Sequence, residues 1–192
     1  LIKACGLAPW NIMAVTFTKK AAREMKTRLE KMLTPNQVNS LSVGTFHALC
    51  ARLLRRDIEA LGYYDRNFVI YDTNDQEAVV KRAIRDLNYD EKQWKPRTVH
   101  YAISKAKNEM ITPQKFQART YLEEIIARVY ERYQQMLIES NALDFDDLLF
   151  VTHRLFRRHQ SILEKYQQHY LHVMVDEFQD TNMVQYDLTK ML

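Results

Sequence analysis

His172-Val173-Met174-Val175-Asp176-Glu177-Phe178-Gln179-Asp180-Thr181-Asn182 is the stretch on which the fold turns. Its first residues, with Leu171, form a short apolar run with β-branched residues, the pattern of a strand buried on both faces of a parallel sheet. The run stops at two adjacent carboxylates, Asp176 and Glu177. In open α/β sheets ligands sit beyond the carboxyl ends of the strands, so acids at that point face a crevice. A hard cation such as Mg²⁺ takes oxygen ligands, commonly one or two carboxylates completed by phosphate and water. A second acid beside the first is placed to orient or deprotonate an attacking water. A plain strand end in solvent would carry the same two acids, and the pair alone leaves both readings open.

Upstream, Asn11–Thr18 holds the run Ile12-Met13-Ala14-Val15 and then Phe17, a second buried strand. Helical periodicity follows, with Ala21/Ala22, Met25, Leu29 and Met32/Leu33 on one stripe and Thr18 as N-cap. Thr34-Pro35-Asn36 ends that helix. Leu41–Thr45 reads as a third strand, and Phe46–Leu61 as a helix stopped by Gly62. Phe68–Tyr71 is a short strand, and Asp72–Asp75 offers several caps. From there to Ser140 the pattern is helical throughout. One helix carries Val79/Val80, Ala83/Ile84 and Leu87, and another carries Val99, Ile103 and Ala106. Thr112-Pro113 supplies a cap followed by Pro at the first helical position. The longest helix covers about Leu122–Ser140. Arg97, Lys105 and Lys107 read as helix-surface charges. Asp144 caps a helix whose stripe is Phe145, Leu148/Leu149, Thr152 and Leu155/Phe156. The acids Asp144, Asp146 and Asp147 complement the dipole of its first turn, so they are not read as a metal site. Asn182–Leu192 begins a last helix.

The 192 residues are 46% hydrophobic and 27% charged, enough for one globular domain with a small insertion. A net charge of +4 suits nucleic acid without demanding it. Cys5 and Cys50 stand apart, and the His169/His172 pair lacks further ligands, so neither a disulfide framework nor a zinc site is indicated. No apolar run reaches membrane-spanning length and no signal peptide opens the chain, which makes a cytoplasmic protein the default. Of the three glycines, Gly6, Gly44 and Gly62, none belongs to a Gly-x-x-x-x-Gly-Lys-Ser/Thr loop. The chain opens at Leu1 and closes within a helical pattern, so it reads as an internal fragment.

Val-Asp-Glu-Phe-Gln-Asp-Thr-Asn, residues 175–182, resembles motif II of the UvrD/Rep/PcrA group of superfamily 1 DNA helicases. Thr16-Phe17-Thr18-Lys19-Lys20-Ala21-Ala22 resembles motif Ia, with Lys19 where that group usually has Asn. Gly44-Thr45-Phe46-His47 resembles motif Ib, and Ala142–Leu149 a further segment of the group. Four such segments in order imply an α/β fold: a partial RecA-like P-loop NTPase domain, built on a parallel sheet, with an inserted all-helical subdomain. The implied divisions are 1–70 and 142–192 for the RecA-like part (domain 1A) and 71–141 for the insertion (1B).

The resemblance also implies a function. The parent would be an ATP-dependent motor moving 3′ to 5′ on single-stranded DNA and unwinding duplex, in repair or replication. Asp176 would hold Mg²⁺ directly or through water, Glu177 would activate water, and Gln179 would couple nucleotide state to DNA. Asp176 and Glu177 together would serve the ATP–Mg²⁺ site. Thr16, Phe17, Thr18, Lys19, Thr45, Phe46 and His47 would line the DNA path. Single-strand/duplex junctions and DNA-repair proteins are the implied partners. A phosphate-binding loop is expected before Leu1 and a second RecA-like domain after Leu192, so the chain alone is expected not to hydrolyse ATP. Two other readings share these residues: the motor subunit of a helicase–nuclease complex, and a non-catalytic module binding single-stranded DNA or a partner.

Overall fold

The computed structural model describes residues 2–192. A short helix α1 (Ile2–Cys5) leads to β1 (Ile12–Thr16), whose five residues are all buried. Thr18, in extended conformation, caps α2 (Lys19–Glu30) by accepting from the Ala21 amide at 3.0 Å. The break after α2 falls where the sequence places it, but Thr34 does more than stop a helix. Its hydroxyl and the Gln37 side chain form a capping box that opens a further short helix, α3 (Pro35–Ser40). Then come β2 (Ser42–Thr45) and α4 (Phe46–Asp57), which tightens into a 3₁₀ turn before Gly62 at φ +79°. Only glycine takes that left-handed conformation without steric cost.

The chain then leaves the sheet. β3 (Val69–Ile70) precedes α5 (Thr73–Asp86), α6 (Pro96–Asn108) and α7 (Tyr121–Glu139), the expected helical block. Thr112-Pro113 does not start a full helix. Thr112 makes no side-chain cap bond, and only a three-residue 3₁₀ turn follows. β4 (Ala142–Leu143) returns the chain and pairs in parallel with β3. α8 (Phe145–Arg158), α9 (Gln160–His169), β5 (His172–Val175) and α10 (Met183–Met191) complete the order.

The main sheet has the order β2-β1-β5, all parallel. One face packs on α4, α8 and α10 through Met13, Val15, Leu53, Leu155 and Leu188. The other face meets the Met25 and Leu29 stripe of α2 across an open apolar cavity of about 430 Å³, lined also by Ile12, Ala14 and Met174. β5 is therefore not buried on both faces as expected: Met174 points into that opening and is 45% exposed. The insertion has its own core, where Val80 and Ile84 of α5, Ile103 of α6 and Val129 and Tyr133 of α7 meet. A fully buried side chain of this size contributes roughly 1.5–3 kcal/mol. Each of the two clusters is thus a substantial apolar core.

The joint between the two cores corrects another expectation. Arg97 and Lys105 are exposed, but Lys107 is not a surface charge: it is 1% exposed. Its Nζ lies 2.5 Å from Asp144 Oδ2 and 2.8 Å from Asp147 Oδ1. The Tyr133 hydroxyl donates to Asp144 Oδ2 at 2.8 Å, and Gln134 Nε2 donates to Asp147 at 3.3 Å. Asp144 and Asp147 also form the capping box of α8. Burial opposes the lysine's charge, but the Asp144 and Asp147 carboxylates outweigh it and hold the ammonium above its ordinary range. Acids in a first helical turn suit the dipole, as the sequence suggests. Here two of the three also hold a buried cation from the inserted block.

Candidate nucleotide and nucleic-acid site

Register brings the candidate residues to one edge. Thr16 of β1 pairs with Thr45 of β2, and Val15 pairs with Val175 of β5. The Asp176 amide donates to the Val15 carbonyl at 2.9 Å, extending the pairing one residue into the acid pair. All three strands thus end side by side, and each runs directly into candidate residues: Thr16–Lys19, Thr45–His47 and Asp176–Gln179. This is the carboxyl edge, where open parallel sheets take ligands.

At that edge Glu177 adopts φ +49°, ψ +46°, the left-handed region. For a residue with a Cβ this costs roughly 1–2 kcal/mol. The turn reverses the chain so that both carboxylates stay exposed, and Gln179 Nε2 donates to Glu177 Oε2 at 2.6 Å. A 3₁₀ turn, Phe178–Asp180, then leads to Asn182, which caps α10 in a box with Gln185. Among the described residues no group of three or more His, Cys, Asp or Glu side chains forms a metal cage. Two exposed carboxylates are the donor set of a hard ion that keeps water and phosphate as its other ligands. In that sense the residues fit Mg²⁺.

The other candidates divide by burial. Thr18 and Lys19 are exposed at the start of α2, where free amides and a cation suit a phosphate. The Thr16 side chain is fully buried and donates to the Thr18 carbonyl at 3.1 Å, shaping the turn. Phe46 is 5% exposed and belongs to the core, and half-buried Phe17 packs on it at 5.7 Å between ring centroids. Thr45 is spent on capping α4, accepting from the Ala48 amide at 3.2 Å. The side chains of Thr16, Thr45 and Phe46 thus build the edge from beneath. His47 remains at the surface of that edge.

The model of the UvrD/REP helicase N-terminal domain matches residues 1–192, the whole length of the chain. The chain belongs to that family. It is 46% identical over 188 residues to the ATP-dependent DNA helicase PcrA of Bacillus subtilis (strain 168), covering 97% of this chain and 25% of that protein. It is 45% identical over 194 residues to the PcrA of Staphylococcus aureus (strain Mu50), covering 100% of this chain and 26% of that protein. The PcrA of Leuconostoc citreum matches at 44% over 194 residues, with the same coverage. The chain thus spans about a quarter of the length of these relatives.

Within this UvrD/REP domain, sequence reasoning missed Phe145. It shares the periodicity of the α8 stripe, yet it is 51% exposed, although Asp144, Asp147 and Leu148 in the same turn are buried. Its ring stacks on His47 with centroids 3.7 Å apart and planes 18° from parallel. The one available signal was its place directly after the cap, at the end of the stripe. Burial pulls the His47 imidazole down to about 4, so it is neutral at pH 7 and offers a flat aromatic face with a single N–H.

A pH effect follows. The folded-state pKa of His47 lies below the unfolded value, so the unfolded chain binds more protons between pH 6.5 and about 4. Stability is expected to fall on acidification through that window, by at most about 1.4 kcal/mol per pH unit from this group. Urea unfolding of the wild type and of His47→Gln at pH 7 and pH 5 measures it. The variant should lose less between the two pH values, and an equal loss would remove His47 as a source.

Proposed function

We propose that this chain is the first motor domain of an ATP-dependent DNA helicase that translocates 3′ to 5′ on single-stranded DNA and opens duplex at single-strand/duplex junctions. The observation that carries the reading is the carboxyl sheet edge. Asp176, Glu177 and Gln179 stand on it beside the Thr18–Lys19 helix start and the His47–Phe145 aromatic pair. The PcrA relatives, named as ATP-dependent DNA helicases, support the same assignment.

In this reading Asp176 would hold Mg²⁺, and Glu177 would orient the attacking water and accept its proton. Mg²⁺–ATP, when bound, supplies the phosphoryl group and neutralises charge on it. Gln179, bonded to the Glu177 carboxylate, fixes that base and can exchange its bond as the neighbouring loops move. Thr18 and Lys19 take backbone phosphates. His47 and Phe145 offer the exposed ring surface on which single-stranded bases stack, a contact that every base can make. Residues 1–70 and 142–192 act as one unit and 71–141 as the insertion. The separate clusters around Leu155 and Val129 support this division. Work on DNA in repair or replication, in the cytoplasm, is consistent with the absence of any described helix long and apolar enough to cross a membrane.

The test is steady-state ATP hydrolysis by the full-length protein, with and without an oligo-dT strand. Strong stimulation by the strand is the expected result. Strand binding without hydrolysis would overturn the motor and leave a binding module. The 192-residue chain by itself is expected to show no measurable turnover, since it holds no glycine-rich phosphate loop. DNA-dependent turnover by this chain would refute that expectation.

A further inference from the structure

The acid loop does not end freely. At its exit, Asn182 Nδ2 donates to Asn108 Oδ1 at 2.6 Å, across 74 residues of sequence. Asn108 is the last residue of α6, the helix of the insertion that also carries Lys107. Its own Nδ2 donates to the Ser104 carbonyl at 2.9 Å and to Asp146 Oδ1 at 3.0 Å. Both ends of the Asn108 amide are therefore used, and its orientation is fixed. Asp146 in turn follows Phe145, the ring stacked on His47.

Resting on the motor reading above, we propose that Asn108 is a positioning residue that couples strand occupancy at His47–Phe145 to the Asp176–Glu177 loop. Three properties of the contact carry this. It joins the inserted block to the acid loop through a side-chain amide on each partner. It touches neither the acids nor the aromatic pair, so it acts only through what it holds. It sits one residue from Lys107, whose buried ion pairs with Asp144 and Asp147 give α6 and α8 a fixed relative position at this point. A base stacking on Phe145 loads the first turn of α8. Asp146 passes that load to Asn108, and Asn108 to Asn182, the residue from which α10 starts and at which the acid loop stops. Asn182 keeps its helix cap through a different atom, since its Oδ1 accepts from the Gln185 amide at 2.9 Å. The cap and the coupling contact can therefore be separated by mutation.

The experiment uses the full-length protein and compares wild type, Asn108→Leu, Asn182→Ser and the double variant. Serine keeps the cap but is too short to reach Asn108. Turnover at saturating ATP is measured with and without oligo-dT, together with KM for ATP and the melting temperature. Each single change is expected to lower the ratio of DNA-stimulated to DNA-free kcat by about three- to tenfold, with KM for ATP nearly unchanged. The double variant should be no worse than Asn108→Leu alone, because both changes break the same Asn108–Asn182 link. Two variants from opposite sides of the bond keep the test decisive if one of them melts early. An unchanged ratio, or effects that multiply in the double variant, would overturn the proposal while leaving the motor intact. A wild type without strand-stimulated hydrolysis would overturn the motor reading itself, and the coupling with it.

Discussion

In the full-length protein, Glu177→Gln is expected to lower strand-stimulated ATP turnover by about 10²–10⁴-fold, the range a positioned general base supplies. The amide has nearly the shape of the carboxylate but cannot take a proton from water. It also meets Gln179 with an altered pattern, since Gln179 Nε2 now donates to a carboxylate oxygen at 2.6 Å. Nucleotide affinity should change little, because Asp176 is untouched. That split, with kcat collapsing and KM for ATP holding, marks a group used in the transition state rather than in binding. Steady-state kinetics with saturating oligo-dT measures both parameters. A variant that keeps a tenth or more of wild-type kcat would remove Glu177 from the base role and reduce it to a loop residue.

Lys107→Met is expected to destabilise the domain by about 3–5 kcal/mol, the cost of removing one partner from a buried ion pair. Asp144 and Asp147 are 1% and 0% exposed and would face each other without a cation. At roughly 2–4 °C per kcal/mol for a domain of this size, the melting temperature should drop by about 10 °C. The deficit has a predictable pH dependence. Two uncompensated buried carboxylates have folded-state pKa values above their unfolded ones. The folded variant then binds more protons than the unfolded chain, so its stability falls as pH rises. Melting curves from pH 5 to pH 8 should show the gap between variant and wild type widening. The double change Lys107→Met with Asp147→Leu should recover part of the loss, since an apolar replacement leaves fewer charges buried. A surface lysine would show none of this: its loss would lie within about 0.5 kcal/mol at every pH.

These two predictions come from different kinds of information. Glu177 was legible in the chain, because an apolar run that stops at Asp-Glu fixes a strand end, and neighbours in sequence remain neighbours in space. The same holds for the caps. Thr18 and Asp144 each act on an amide three residues away, so local spacing reveals them. The helical block, the stop at Gly62 and the strand runs were equally open to periodicity and turn chemistry.

Lys107, Phe145 and Asn108 were not legible, and for one reason. Each is defined by a partner far along the chain: Asp144 lies 37 residues from Lys107, and Asn182 lies 74 from Asn108. A lysine near a helix end looks the same whether it faces water or two carboxylates. A phenylalanine on a hydrophobic stripe looks the same whether the core covers it or leaves it facing outward. The burial of Thr16 and Phe46 was hidden likewise, since a turn's sequence does not say which of its side chains faces inward. By itself, then, the sequence determined most of the elements, several of their caps and the acid pair, all set by contacts within a few residues. The tertiary structure alone decided which charges are buried and which rings are free, because both depend on the surface that another segment presents.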